Sequence, residues 1–520
     1  MKIEKICILG GGTAGFSMAC LLARYKELSN INLDVTVVYS SEIGNIGVGE
    51  STLLSINDLF GYLNLKDEEW MPQCDATYKT SIAFENFYKK GNQFHYPFGF
   101  PVISNPAYPS KWFELNHHYP DVFSNDTYAK YMIPATRMNE KNKLTDREDI
   151  PGFNFSQNSA YHFDTHKLAK VFKNYAEERG VKFIDDLYTE SVVGDDGNIK
   201  KLICSNHTIE ADLFIDCSGF KSLLLNKVMG AEFIDFNETL INNRVVRAKI
   251  PYTDKEKQLK NYTNCVALDN GWCWEIPLWD CLSVGYVHSL KFATEEEILI
   301  EFKNHCLKHG VEVDEKDIDI INYKTGRHNK GWIKNVIGVG LSYGFLEPLE
   351  STGILTLLQN GFRAIEFLSK RNLHYTNVDR DIFNFSVGRE IDTLRGFIEL
   401  HYAFSSRDDS DYWQYVTNDI DYPNEFPDTT LAESSTYFEI MYKSVVTRSY
   451  FDFQQPQGGG PFIMAGMNYN CYSNAFMLAE EKTEELEASK DHFLKEDEIF
   501  NDLVDSYPST YEFLKERIYK

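Results

Sequence analysis

At 520 residues the chain is too long for one small core and has the length of a two- to four-domain protein or one large enzyme body. Its 43% hydrophobic and 14% aromatic content excludes a disordered chain, and 77 acidic against 52 basic residues, a net charge of -25 without any basic block, exclude nucleic acid and anionic membrane as partners. The ten cysteines form no C-x-x-C pair and no Cys/His cluster with zinc spacing, the pattern of a reduced, cytoplasmic protein with no metal site.

The first segment, "KICILGGGTAGFSMACLLAR", reads as a buried strand over Ile6–Leu9, a glycine turn and a helix. Its glycines make it a poor signal peptide or membrane span. Gly10, Gly12 and Gly15 have the G-x-G-x-x-G spacing of a dinucleotide site, where they permit the tight turn, backbone approach to pyrophosphate and close helix–strand packing. A second strand, "LDVTVVYS", follows at the interval such a fold requires, but ends in Tyr39, Ser40 and Ser41, with Glu42 one step later, where an acid for the adenosine ribose is usual. The "IGVGEST" loop, residues 46–52, then brings Gly49, Glu50 and Ser51 into a close-approach turn.

Farther along, "ADLFIDCSGF" is a buried strand leaving through Cys217, Ser218 and Gly219, as at a Rossmann-type sheet edge. "GWCWEIP", residues 271–277, places Trp272 and Trp274 on one side of a strand as a flat indole wall, with Cys273 and Glu275 facing away and Pro277 ending the ladder. "NVIGVGLSYGFLEPLESTGI" combines a strand, a proline-bearing loop and a helix start at which backbone N–H groups can hold an anion.

Taken in order with "ATYKTSIAFENF" around Lys79, these segments resemble the flavin-dependent tryptophan halogenases, from about residue 3 to Trp413, where the likeness fades. The resemblance implies an α/β fold: a Rossmann-like FAD-binding fold of the single-component flavoprotein monooxygenase type, with additional β-sheet and a mostly helical substrate-side subdomain. It implies FAD contacts at Gly10, Gly12, Thr13, Ala14 and Gly15, at Ser40, Gly49, Glu50 and Ser51, and at Leu341, Thr352, Gly353 and Ile354. Halide is expected at Thr352 and Gly353, on a helix N-terminus.

By the same resemblance, reduced FAD from a separate flavin reductase and oxygen convert halide (chloride, bromide or iodide) into hypohalous acid, and Lys79 carries it to an electron-rich aromatic or heteroaromatic small molecule. Lys79 acts either as an ammonium that polarises hypohalous acid or as an amine that forms a haloamine, a route favoured where desolvation lowers its pKa. Glu350 orients the oxidant or accepts the ring proton. Trp272, Trp274, Ile276 and Pro277 form the flavin-side motif, whose indoles occupy the space a hydroxylase gives its substrate.

The expected modules are a discontinuous FAD-binding part of residues 1–110, 155–250 and 265–375, and a substrate-side part made of a 111–154 insertion and a helical 376–520 region. "EEKTEELEASKDHFLKEDEIF" reads as a helix with a solvated charged face, and homo-oligomerisation is left open. Two rival readings remain: a flavin monooxygenase that hydroxylates an aromatic substrate, which the tryptophan motif opposes, and a catalytically inactive flavin-binding interaction protein, which Lys79 and Glu350 oppose. Free tryptophan is not the expected substrate, because "YFEIMYKSVVTRSYFDFQQPQGGGPF" contains no tryptophan and offers Tyr442, Tyr450, Phe451 and Phe453 as a looser aromatic wall.

Overall fold

The structure is a computed structural model describing residues 2–43, 47, 49–100, 108–422, 460–468 and 484–520. The chain divides into two compact units: Met1–Thr77, Ala160–Asn243 and Asn322–Asp392 form the first, and Tyr78–Ser159, Arg244–Ile321 and Thr393–Lys520 the second. Of the 265–375 piece expected in the FAD-binding module, residues 265–321 fall in the second unit, where the tryptophan strand is hydrogen-bonded on both sides into the sheet.

The first unit is built on a six-stranded sheet. Five strands are parallel, in the order Val336–Gly338, Leu213–Asp216, Lys5–Leu9, Asp34–Tyr39 and Lys182–Asp185, and Trp332–Ile333 adds an antiparallel edge. The central strand reads Ile-Cys-Ile-Leu because a strand with parallel neighbours on both sides and covered faces has no solvated side to alternate with. Helices Thr13–Ser29, Thr165–Glu178 and Thr352–Lys370 pack together, and the first and last approach closely at Gly361, where a Cβ would lie 2.8 Å from the Met18 sulfur.

The second unit contains a seven-stranded sheet in the order Asp319–Asn322, Arg244–Ile250, Leu282–His288, Gly271–Pro277, Tyr262–Leu268, Ser81–Glu85 and Gln93–Pro97. Residue alternation assigns its two faces different work. On one face Val246, Val266, Cys273, Val284 and Tyr286 bury Ile298, Phe302 and Cys306 of helix Glu295–Lys308. The helix is started by a reciprocal Thr294/Glu297 capping box. The opposite face carries the two tryptophans.

The charged helix expected near the C-terminus spans Glu484–Asp505, and its role is more than a solvated face. Leu486, Phe493 and Val504 are buried, and Asp497 Oδ1 accepts from Nε and Nη2 of the buried Arg137, at 2.9 and 2.6 Å. Tyr442, Tyr450, Phe451 and Phe453 lie outside the described residues. Among the described residues no helix is long and apolar enough to cross a membrane.

Candidate active site

In the first unit, three loops leave the carboxyl ends of adjacent parallel strands, the position at which open α/β sheets bind ligands. Backbone bonds hold these exits together: Gly10 N donates to Val38 O, Cys217 N to Leu9 O and Val339 N to Asp216 O, at 2.8, 2.8 and 2.9 Å. Gly10 has φ +128°, and a Cβ there would lie 2.1 Å from the Cys217 carbonyl oxygen. At Gly15 a Cβ would lie 1.9 Å from the Gly10 carbonyl oxygen. Gly12 caps the helix whose first residues are Thr13, Ala14 and Gly15, and a Cβ built on Gly340 of the third loop would lie 3.0 Å from Ala14 Cβ.

That third loop contains Leu341, half-buried in the short turn Gly340–Ser342. It is tied to the second, since Ser222 Oγ donates to Ser342 O at 2.8 Å and Ser342 Oγ to Gly219 O at 3.3 Å. The buried Asp216 carboxylate accepts from the backbone N–H groups of Leu224 and Leu225 and from Ser218 Oγ. At the end of the second strand Tyr39 Oη accepts from Lys173 Nζ at 3.0 Å, beside the half-buried Ser40. The nearby acid comes from the neighbouring strand: Asp185 accepts from Ser41 N at 2.9 Å, and that backbone bond holds its carboxyl below the usual range.

Gly49, Glu50 and Ser51 form a short strand paired with Ala160–Asp164, and the buried Ser51 Oγ accepts from Ser351 Oγ at 3.0 Å. The bond joins two of the motifs singled out in the sequence. Pro348–Glu350 is a 3-10 turn in which Glu350 is buried. Ser351 follows at φ +58°, a left-handed conformation uncommon for a residue with a Cβ, and turns the chain into the 19-residue helix that begins at Thr352. Thr352 and Ile354 are buried, Gly353 is half-buried, and a Cβ built on Gly353 would meet nothing within 4 Å. Open space over the first turn of a long helix fits an anion, and glycines closing the turn at the strand ends fit a dinucleotide. The residues present therefore fit FAD and halide.

In the second unit Lys79 ends the strand Thr77–Lys79 and is completely buried, with Nζ 5.2 Å from the centroid of the Phe98 ring. The next residue, Thr80, is enclosed by amides that the sequence did not single out. Asn139 Nδ2 donates to Thr80 Oγ1 at 2.6 Å and to Asn261 Oδ1 at 3.2 Å, while Thr80 N donates to Asn261 O at 2.7 Å. No local signal marks these asparagines, which join the lysine strand from far along the chain.

Trp272 and Trp274 share a face, with ring centroids 6.4 Å apart, but their planes are inclined by 59°. The pair is an angled wedge, because Trp274 turns across the sheet over its partner position Gly285. A Cβ at Gly285 would lie 2.1 Å from the Trp274 ring. Ile276 and Pro277 are buried, and Pro277, paired opposite Leu282, is the last residue of the strand.

The tryptophan halogenase family model matches residues 5–451. The chain belongs to that family. Tryptophan 6-halogenase SttH of Streptomyces toxytricini is 32% identical over 435 residues, covering 79% of this chain and 80% of its own length. Tryptophan 7-halogenase RebH of Lentzea aerocolonigenes is 31% identical, covering 79% and 78%. Among solved structures, apo VirX1 superposes with a TM-score of 0.89 at 35% identity over 100% of both chains. This tryptophan halogenase family member is a flavin-dependent, oxidoreductase-type enzyme that uses FAD and halide.

Proposed function

We propose that the enzyme oxidises halide with reduced FAD and oxygen and transfers the halogen, through Lys79, to an electron-rich aromatic or heteroaromatic small molecule. Reduced FAD supplies two electrons and halide the other two as O2 goes to water level, leaving oxidised FAD and hypohalous acid. Substitution then forms a carbon–halogen bond and breaks a carbon–hydrogen bond, with water as the second product.

In this reading Gly10, Gly12, Thr13, Ala14 and Gly15 receive the pyrophosphate, with Ser40, Gly49, Glu50, Ser51, Leu341 and Ile354 as further contacts. Thr352 and Gly353 offer halide the positive end of their helix. The first unit would thus be the FAD-binding one. Trp272 and Trp274 fill space with rigid, weakly polar surface, which excludes water and a bulky substrate but not a halide ion. Glu350 would orient the oxidant or accept the ring proton.

The observation that carries the proposal is the Lys79 side chain: a lysine with no exposed surface, held beside an aromatic ring, in a chain of this family. Burial removes competing water and makes the amine or ammonium the polar group a hypohalous acid would meet. A separate flavin reductase in the cytoplasm supplies the reduced cofactor, consistent with a single nucleotide motif in the sequence.

The test incubates enzyme, reductase, NADH, FAD and chloride, bromide or iodide with a panel containing tryptophan, simple indoles and phenols. Mass spectra should show halogen-for-hydrogen shifts that require halide, with indoles or phenols preferred over free tryptophan. A product heavier by one oxygen and indifferent to halide would establish the hydroxylase reading instead.

A further inference from the structure

On the sheet face opposite the tryptophans, three side chains converge that the halogenase reading does not use: Glu275, His305 and His309. Glu275 follows Trp274 on its strand and points toward helix Glu295–Lys308. His305 lies within that helix and His309 caps it, four residues on, so both project from one helical face. Both Nε2 atoms meet the same carboxylate oxygen: His305 Nε2 is 2.9 Å and His309 Nε2 2.7 Å from Glu275 Oε1. One ligand atom from each residue lies within 4.8 Å of the other two. We propose that Glu275, His305 and His309 form a binding site for a divalent transition metal of the zinc class.

His305 is only 3% exposed, yet its Nε2, for all its closeness to Glu275, is not aligned for a hydrogen bond, and its Nδ1 also makes none. Glu275 Oε1 is hydrogen-bonded to His309 Nε2 at 2.7 Å but not to His305, and a cation shared by the three would give the buried His305 imidazole the partner it lacks. Two imidazoles and one carboxylate are a donor set for Zn2+ or Co2+ and a poor one for Mg2+ or Ca2+, which prefer oxygen. Bonds of about 2.0–2.1 Å place tetrahedral donors roughly 3.3 Å apart, so loading would open the present contacts by about half an ångström.

The surroundings support the charge and hold the ligands. Asn264 Nδ2 donates to Glu275 Oε2 at 3.0 Å and to Glu85 Oε2 at 3.1 Å, which leaves Oε1 facing the histidines and adds a second carboxylate nearby. Lys260 is the opposing cation, and burial pushes its ammonium down in pKa. The His309 carbonyl accepts from Thr253 Oγ1 at 3.0 Å and Gln258 Nε2 at 3.2 Å, which fixes the cap carrying the third ligand. His309 is half-buried, which gives ions an entry path and leaves room for water as fourth ligand.

The test uses the full chain without a polyhistidine tag, stripped with chelator and titrated with Co2+ and then Zn2+. Wild type should bind one Co2+ per chain with a visible absorption band, lose the band to Zn2+, and melt several degrees higher with Zn2+ present. His309→Ala and Glu275→Gln, each checked for folding by circular dichroism, should weaken Co2+ binding at least tenfold and abolish the melting shift. His492→Ala, altering a helical His/Glu pair elsewhere, should change neither. The proposal is overturned if wild type binds no Co2+ at tens of micromolar, or if both site variants bind as wild type does. Neither readout depends on halogenation, so failure here leaves the proposed activity standing.

Discussion

The two units respond to atoms in opposite ways. The nucleotide end of the first is shaped by what is missing: Gly10 and Gly15 sit where an added methyl group would lie 2.1 and 1.9 Å from a carbonyl oxygen, far inside van der Waals contact. The tryptophan face of the second is shaped by what is present, two buried indoles wedged over a sheet whose opposing position is glycine. Adding atoms therefore damages the first, whereas removing them damages the second. Gly285 is the exception that joins the two logics, a missing side chain that exists to admit a large one.

The largest expected effect breaks the first unit. Gly15→Ala should eliminate FAD retention, measured as flavin absorbance co-eluting with protein, because strand and helix cannot separate enough without losing the turn. Retention at wild-type level would disprove the close-packing role. Next, Lys79→Ala should lower halogenated product by about 100-fold or more while oxygen consumption continues, and Glu350→Gln should lose activity less, in kcat rather than in FAD affinity. Normal halogenation by Lys79→Ala would mean that free hypohalous acid does the work.

Stability measurements sharpen the contrast. Trp274→Ala should cost about 3–5 kcal/mol in denaturant unfolding, as for other large aromatic deletions, and Gly285→Ala about 1–3 kcal/mol through overpacking. With Trp274→Ala in place, adding Gly285→Ala should cost little; if the two costs simply add, the indole does not depend on that glycine.

The smallest effect is one of pH and belongs to the second unit. His95 and His288 are held at about 4 by burial, partly offset for His288 by the Tyr286 carbonyl. The unfolded chain binds protons near pH 6.5 that the native state refuses until about 4. The stability is thus fully present above pH 6.5 and lost as pH falls toward 4. Between pH 6.5 and 5 each histidine should cost up to about 2 kcal/mol, and His95→Gln should flatten the melting-temperature profile over that window. An unchanged profile would rule out His95 as a source.

What could be read in the sequence follows the same divide. The glycine turn and the strand and helix around it are local chemistry, with every necessary residue inside twenty positions, and they stand where expected. The Lys79 environment is not local, since Asn139 and Asn261 lie 59 and 181 residues from the Thr80 they surround. Gly285 reads as one unremarkable residue in "LSVGYVHS", and only strand pairing sets it opposite Trp274. His305 and His309 show helical spacing in the sequence, but Glu275 stands 30 residues before His305 on a strand, which is why zinc-type spacing did not flag the trio. The carboxylate beside the end of the second strand, Asp185, comes from the adjoining strand 144 residues beyond Ser41, where no reading of the segment ending in Tyr39 could find it.

The parallel sheet of the first unit also sets a schedule for folding. Its central strand, Lys5–Leu9, bonds to Leu213–Asp216, and that strand bonds to Val336–Gly338. A ribosome adding roughly 5–20 residues per second therefore needs roughly 17 to 66 seconds between the first strand and the last that completes the sheet. Through that interval the apolar strands near the N-terminus await partners not yet synthesised, the situation in which chaperones bind and aggregation competes. Co-expression of chaperones should raise the soluble yield, and chains truncated before residue 336 should be recovered mainly with chaperones or in inclusion bodies.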